Sequence, residues 1–350
     1  MAVPEPQVTL LSARDVRETL DLASPPIILE ACVSNQEVSP LGYLPGTILL
    51  SLADIDVYEE DSRGHPKCVS GNYSLQPPAS VRSAFENAGI VHSRHVIVLT
   101  QATRAGGVDL AVAGRLCWAL CWAGVSHVSL FAGGVQGWAH EGFALVATPN
   151  SSRVTDFFNG LPLPFPLRPA LCASTAEVEA AMGSHSDVQL ADVRSWKEFL
   201  GEGHDYPFAL PQGRIPGARW AHWGPSTYVG GDFFRHETGA LHPLTQTATL
   251  WRDWGLELAR AGDAQAQQRK IIFYCGSGWR SAVAWVLAQL LGHRHCASYD
   301  GGFLEWSLLD DRAAEHPIAR GWNPREQHDT HPLGFGPAPI TSTSEREVAV

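Results

Sequence analysis

The sequence contains no C-x-x-C pair, no unbroken apolar run long enough to cross a bilayer, and no surplus of basic residues over its 350 positions. Each absence removes a class of function. With 25 Lys and Arg against 36 Asp and Glu, the formal net charge is −11. A nucleic-acid surface needs a basic stripe to neutralise phosphates, so none is expected. The most apolar stretch, Leu110 to Leu130, is broken by Arg115, Gly124 and His127. It reads as a buried helix plus a strand, and no membrane association is expected. Cysteines are few and scattered, at 32, 68, 117, 121, 172, 275 and 296. The opening residues Met1-Ala2-Val3-Pro4-Glu5-Pro6 show no basic region followed by an apolar stretch. Together with the odd thiol count, this predicts reduced cysteines and a cytoplasmic protein. Cys117 and Cys121 sit four apart among Trp, Ala and Leu with no histidine nearby, so they read as core thiols and no metal is expected.

What is present fits two ordinary domains. Hydrophobic residues reach 45% while charged ones stop at 17%, enough apolar side chain to fill real cores. A weak internal repeat organises the chain. In the second half, Lys270-Ile271-Ile272-Phe273-Tyr274 reads as a buried strand ending at Cys275. A helical run follows from Ser281 to Leu291, then a strand from His295 to Tyr299, then Gly301-Gly302-Phe303-Leu304-Glu305-Trp306. In the first half the counterparts are His95 to Thr100, Leu110 to Trp122, His127 to Phe131, and Gly133-Gly134-Val135-Gln136-Gly137-Trp138. Upstream, Val188 to Arg194 leading to Gly213-Arg214-Ile215-Pro216-Gly217-Ala218 matches Ile27 to Ala31 leading to Gly42-Tyr43-Leu44-Pro45-Gly46-Thr47. Short apolar strands alternating with helices of ten or more residues predict an α/β fold used twice, each unit a parallel sheet flanked by helices. The expected divisions are 1–149, a proline-spaced linker over 150–169, 170–322, and a polar, partly disordered tail over 323–350.

Cys275-Gly276-Ser277-Gly278-Trp279-Arg280 falls where a strand ends and a helix begins. A cysteine after a strand is ordinarily a small buried hydrophobe, but C-G-x-G-x-R at such a turn is far rarer. Gly276 and Gly278 allow backbone angles that turn successive N–H groups inward as an anion-binding nest. The following helix directs the positive end of its dipole at the same point. Arg280 adds a cation that does not titrate away. Such surroundings favour a thiolate, and the same amides would hold a persulfide anion. Ser277 is expected to donate a further hydrogen bond and Trp279 to wall off solvent.

The Cys275–Arg280 loop, the Asp192-Val193-Arg194 strand end, Gly213 to Ala218 and Asp300 to Trp306 together resemble the rhodanese superfamily, over nearly the whole chain as two tandem units. The resemblance implies a sulfurtransferase in which Cys275 takes a sulfane sulfur from a small donor as Cys–S–SH and passes it to a thiophilic acceptor. No cofactor beyond that covalent persulfide is implied. Asp192 and Arg194 would brace the site. The corresponding turn of the first half begins Thr100-Gln101 and has no cysteine, so that unit would be catalytically silent. The related dual-specificity phosphatases use a longer loop, and the four residues between Cys275 and Arg280 suit a more compact sulfur species.

Donor and acceptor are less constrained. C-G-S-G is similar to mercaptopyruvate sulfurtransferases, whereas Trp279-Arg280 is similar to bacterial multidomain rhodaneses and to rhodanese-like enzymes that form ergothioneine from a histidine betaine. Mercaptopyruvate, thiosulfate and polysulfide all stand as donors. A small thiol, cyanide, a thiol carrier protein or an imidazole stand as acceptors. Where the family usually places a second, donor-binding arginine, this chain has Glu198. A carboxylate there is expected to repel an anionic donor, and Glu198→Arg to raise activity with one. Arg219, Arg235 and Arg280 are candidate replacements for the missing cation. Trp220, His222 and Trp223 could stack on a planar or cationic acceptor, or simply pack an interface. Tyr274 could supply a proton to an imidazole, or simply pack. A rival of another class is a non-catalytic rhodanese module that docks a partner or senses redox state through Cys275.

Overall fold

The computed structural model describes residues 5–33, 39–100, 110–150, 168–182, 187–203, 206, 210–221, 241–259, 269–308 and 316–321. Within them the chain builds two five-stranded parallel sheets. The first comprises Gln7–Leu10 (β1), Ile27–Cys32 (β2), Ile48–Ser51 (β3), His95–Thr100 (β4) and His127–Phe131 (β5). With them run the helices Ala13–Thr19 (α1), Pro78–Asn87 (α2), Leu110–Trp122 (α3) and Gly134–His140 (α4). The second sheet comprises Cys172–Ala173 (β6), Val188–Asp192 (β7), Arg219–Trp220 (β8), Lys270–Tyr274 (β9) and Cys296–Tyr299 (β10). Its helices are Thr175–Ala181 (α5), Trp196–Leu200 (α6), Leu244–Asp253 (α7), Trp279–Leu290 (α8) and Gly302–Leu308 (α9).

The strand orders are β1-β5-β4-β2-β3 and β6-β10-β9-β7-β8, the same path walked twice. The α/β reading and the repeat therefore hold at the level of topology. The elements with continuous apolar runs are the ones the sequence marks most clearly: every residue of β2 is buried, as parallel strands covered on both faces require. Helix α8 begins two residues earlier than its hydrophobic pattern suggests, because Gly278 turns the chain in the left-handed region (φ +85) and Trp279 starts the first turn. The short edge strands β1 and β6 carry too few residues to announce themselves. The 151–167 part of the linker and the 323–350 tail lie outside the described residues. Among the described residues no helix is long and apolar enough to cross a membrane.

Register aligns the two halves residue by residue. Asp192 lies opposite Tyr274 across β7 and β9, and Ala31 lies opposite Thr100 across β2 and β4. The counterpart of Asp192 is thus an alanine, and the position after Thr100, the counterpart of Cys275, is a glutamine.

The corresponding helices α3 and α8 pack on each other. In α3 every residue but Ala111 is buried, the pattern of a helix enclosed all round. One apolar cluster runs through Leu116, Cys117 and Leu120 of α3 to Val283, Trp285 and Val286 of α8 and on to Phe273 and Cys275. Cys117 and Cys121 are core thiols here, and burial pushes both upward, Cys121 to about 12. Gly114 makes the close approach possible. A Cβ there would stand 2.5 Å from Val283 Cγ2 and 3.0 Å from Val283 Cα. Gly114→Ala should therefore force the helices apart and cost about 1–3 kcal/mol. A lowered urea midpoint, partly restored by adding Val283→Ala, is the expected result.

Candidate active site

Cys275 follows β9 directly and is only 1% exposed. Its Sγ faces the Ser281 hydroxyl at 3.8 Å, which in turn donates to Gly278 O (2.9 Å) and shares a hydrogen bond with Ser298 (2.8 Å). The hydroxyl at the sulfur is thus that of Ser281, on the first turn of α8. Ser277, expected in that role, is buried in the loop. The backbone is pinned on its other side: Phe303 N donates to Cys275 O (2.7 Å) and Leu304 N to Gly276 O (2.8 Å). The G-G-x-x-x-W segment therefore clips α9 onto the loop. Because α8 begins four residues after Cys275, the partnerless N–H groups of its first turn and the positive end of its dipole lie at the loop.

Asp192 and Arg194 form the expected brace. Asp192 Oδ1 accepts from Arg194 N (2.9 Å) and Nε (3.0 Å), and Oδ2 from Nη2 (2.7 Å). Arg194 Nη2 also donates to Gly213 O (2.7 Å), and the guanidinium lies 4.2 Å from the Phe303 ring centroid. Strand end, G-R-I-P-G-A turn and α9 are thereby tied together. Tyr274 belongs to the same brace. Its hydroxyl donates to Asp192 Oδ2 (2.8 Å) and accepts from Ile215 N (3.2 Å), so it is not aimed at an acceptor beside Cys275. Successive strand residues face opposite sides, which separates Tyr274 from the cysteine that follows it.

Arg280 is held by Glu198. Nη1 donates to Oε2 (2.9 Å) and Nη2 to Oε1 (3.1 Å), with side-chain exposures of 5% and 1%. Glu198 also closes a capping box at the start of α6, accepting from Ser195 N (2.9 Å) and Oγ (2.8 Å). Burial alone would push its carboxyl up. The charge and hydrogen bonds of Arg280, with nearby Arg194, outweigh that and hold it at about 2. This corrects the expectation that Glu198 confronts and repels a donor: its charge is matched by Arg280. Arginine at 198 would set two cations together in a buried place. Arg280 Nη2 also donates to the hydroxyl of Tyr206, a residue the sequence reading missed. Tyr206 lies over the loop so closely that a Cβ on Gly276 would collide with the hydroxyl end of its ring. Burial pushes the Tyr206 hydroxyl well up, keeping it a neutral phenol.

The far wall comes from the N-terminal half. Trp279 Nε1 donates to Asp56 Oδ2 (2.9 Å), and its ring packs edge-on against Tyr58 and Tyr73. Asp56 is chelated by Arg115, which also donates to Asp300. Burial pushes the Asp56 carboxyl up to about 6 against the pull of Arg115.

The proposed substrate-contacting residues divide. Arg219 is committed elsewhere, to Gln189 Oε1 (2.6 Å), Gly255 O and Glu257, so it does not replace the missing cation. Trp220 is core: its Nε1 donates to Arg194 O (2.8 Å) and its ring packs with Trp196 and Trp254. His222, Trp223 and Arg235 lie outside the described residues, as does Gln101.

Residues 174–309 match the family model described as Rhodanese-like domain. Over 243 residues, 69% of the chain, the sequence is 29% identical to the thiosulfate sulfurtransferase YnjE of Escherichia coli strain K12, and it spans half of that protein's length. It is 31% identical to putative thiosulfate sulfurtransferase 1 of Mycobacterium bovis over 211 residues, covering 58% of this chain and 67% of that protein. Among solved structures, wild-type EanB superposes with a TM-score of 0.71 at 26% identity, covering 90% of this chain and 69% of that one.

Two outcomes follow from the ion pairs. Glu198→Ala leaves the buried Arg280 without its carboxylate and should cost about 3–5 kcal/mol in urea unfolding, and Glu198→Arg should destabilise in the same direction. For Asp56, the folded chain binds the proton more tightly than the unfolded chain, whose carboxyl titrates near 3.8. The stability it contributes is full below about pH 4 and is lost as pH rises through about 6. Unfolding midpoints measured across this window should fall more steeply in wild type than in Asp56→Asn.

Proposed function

The chain belongs to the rhodanese family of sulfurtransferases, and on that premise we propose that Cys275 is its sulfur-carrying nucleophile. The observation that carries this reading is the position of Cys275 at a strand-to-helix glycine turn, with its sulfur against the first turn of α8 and its carbonyl clipped to α9. A thiolate there attacks the outer sulfur of a donor. With thiosulfate, the Cys275 S–S bond forms as the sulfur–sulfur bond of the donor breaks, and sulfite leaves with the electron pair. An acceptor thiolate then attacks the outer persulfide sulfur, taking it as R–S–S⁻ and returning Cys275 as thiolate. Charge and atoms balance at both steps, and the sulfur rides on the cysteine without a metal or organic cofactor. Water is excluded by Trp279 and Tyr206, and the brace of Asp192, Arg194 and Tyr274 keeps the turn in place. The N-terminal half, with glutamine at the corresponding turn, is catalytically silent. Donor and acceptor are small molecules, or in the acceptor's case a thiol carrier protein, and the reaction belongs to a reducing cytoplasm.

A second reading is transfer of the sulfur to an imidazole carbon. Around the loop, Asp56, Asp192, Glu198 and Asp300 face Arg115, Arg194 and Arg280, so among these residues the acids outnumber the bases. That balance accommodates a cationic acceptor better than a dianionic donor. EanB, which superposes on this chain, has been solved with hercynine and with ergothioneine.

Intact-protein mass after incubation with thiosulfate, mercaptopyruvate or polysulfide tests the first reading. Wild type should gain one sulfur, removable by dithiothreitol, and Cys275→Ser should gain none. No gain from any donor would sink sulfur transfer through Cys275 and favour a docking or redox-sensing module. Adding hercynine to the loaded protein and finding a thiolated product would establish the second reading.

A further inference from the structure

The turn that holds Cys275 is soft by composition. Gly276 and Gly278 carry no side chain to lock them, and glycine gives up more conformational freedom on folding than any other residue. Something outside the turn must fix it. At Gly276 the neighbour is Tyr206, and at Gly278 it is a charge cluster whose cation comes from the other half of the chain.

That cation is Arg115 on α3, completely buried. Its Nη2 and Nε donate to Asp56 at 2.8 and 3.2 Å, and its Nη1 donates to Asp300 at the end of β10. A Cβ on Gly278 would lie 2.6 Å from Asp300 O and 3.1 Å from Arg115 Nη1, so the guanidinium rests on the turn itself. The next residue, Trp279, hangs from the same cluster through its hydrogen bond to Asp56. Asp300 also accepts from Leu75 N (2.9 Å), which brings a second N-terminal segment to the site. Tyr73, the one non-glycine among the described residues with a left-handed φ (+65), presents its carbonyl to Arg115 Nη2 (3.4 Å) and its ring to Trp279. Strained backbone of this sort persists where surrounding structure over-determines it.

A contact that only fastened two halves together would be served as well by apolar side chains, since desolvating an arginine and two carboxylates is expensive. The position of this cluster against two consecutive residues of the cysteine turn gives it a more specific use. We propose that Arg115 is a positioning residue for Cys275, acting across the interface between the halves: through Asp300 and Asp56 it fixes Gly278 and Trp279, and with them the start of α8 beneath the sulfur. The N-terminal half then contributes to the reaction without touching substrate. This rests on Cys275 being the reacting thiol.

The test compares wild type with Arg115→Lys, Arg115→Met and Trp279→Phe, with urea unfolding run in parallel. Two rates are read. One is sulfur loading of Cys275 at varied donor concentration. The other is alkylation of Cys275 by iodoacetamide, followed on its peptide, which needs no sulfur donor. Small misplacements at a reacting centre commonly cost one to two orders of magnitude, so folded Arg115→Met should load about tenfold or more slowly. The loss should fall on kcat with KM little changed, and alkylation should slow in parallel. Arg115→Lys should recover part of the loss. Trp279→Phe, which removes the hydrogen bond to Asp56 and trims the ring while keeping an aromatic side chain beside Tyr58 and Tyr73, should move both rates the same way. Wild-type rates in folded Arg115→Met and Trp279→Phe, with only the urea midpoint lowered, would overturn the proposal and leave Arg115 a fastener. Should the Arg115 variants not fold, Trp279→Phe decides. Wild type that cannot be loaded by any donor would overturn the sulfur-carrier reading instead, and the alkylation rates would still judge Arg115.

Discussion

A guanidinium cannot discard its charge when it is buried, so it must be met by carboxylate or carbonyl oxygens. Three arginines converge on the cysteine turn under that constraint. Arg194 is met by Asp192 below the strand ends, Arg280 by Glu198 beside the turn, and Arg115 by Asp56 and Asp300 across from it. The Arg280 and Arg115 pairs draw distant segments together, while Arg194, paired two residues from Asp192, reaches another segment through Gly213 O. The apolar cores hold the sheets and helices, while these ion pairs set where the turn lies relative to them.

Much of this arrangement was legible in the sequence. Short, mostly apolar runs alternating with helical stretches identified β2, β4, β5, β7, β9 and β10, and the repeated G-G-x-x-x-W endings tied the two halves together. The C-G-S-G-W-R turn could be located because its chemistry is local: glycines, a cysteine and an arginine within six consecutive positions. The Asp192–Arg194 brace is also local, two residues apart, and it is where the motif placed it.

What could not be read was whatever depended on a distant partner. Arg115 looked like an interruption in an apolar run, since its carboxylates stand 59 and 185 positions away. Glu198 looked like a hostile charge because Arg280, 82 positions on, was not visible as its mate. One signal was available there: Ser195-x-x-Glu198 is a capping box, and a glutamate in that role points back to its own helix start. Of the two readings open for Trp220, stacking on an acceptor or packing, the structure shows packing, and Arg219 beside it on the strand faces the opposite side, toward Gln189 and Glu257. Tyr206 offered no pattern at all, an isolated tyrosine between segments with no clear period.

The contact of α3 with α8 has a further consequence. These are corresponding helices of a repeated unit, so a noncovalent dimer of identical units would join them as the same surface meeting itself. In such a dimer every substitution is made twice, and a glycine introduced on one side appears on the other. Here Gly114 stands against Val283, a small residue facing a branched one. Carrying both units on one chain frees each side of the seam to vary alone. One helix can accept the buried Arg115 while the other keeps the turn of Cys275, a division of labour closed to a pair of identical subunits.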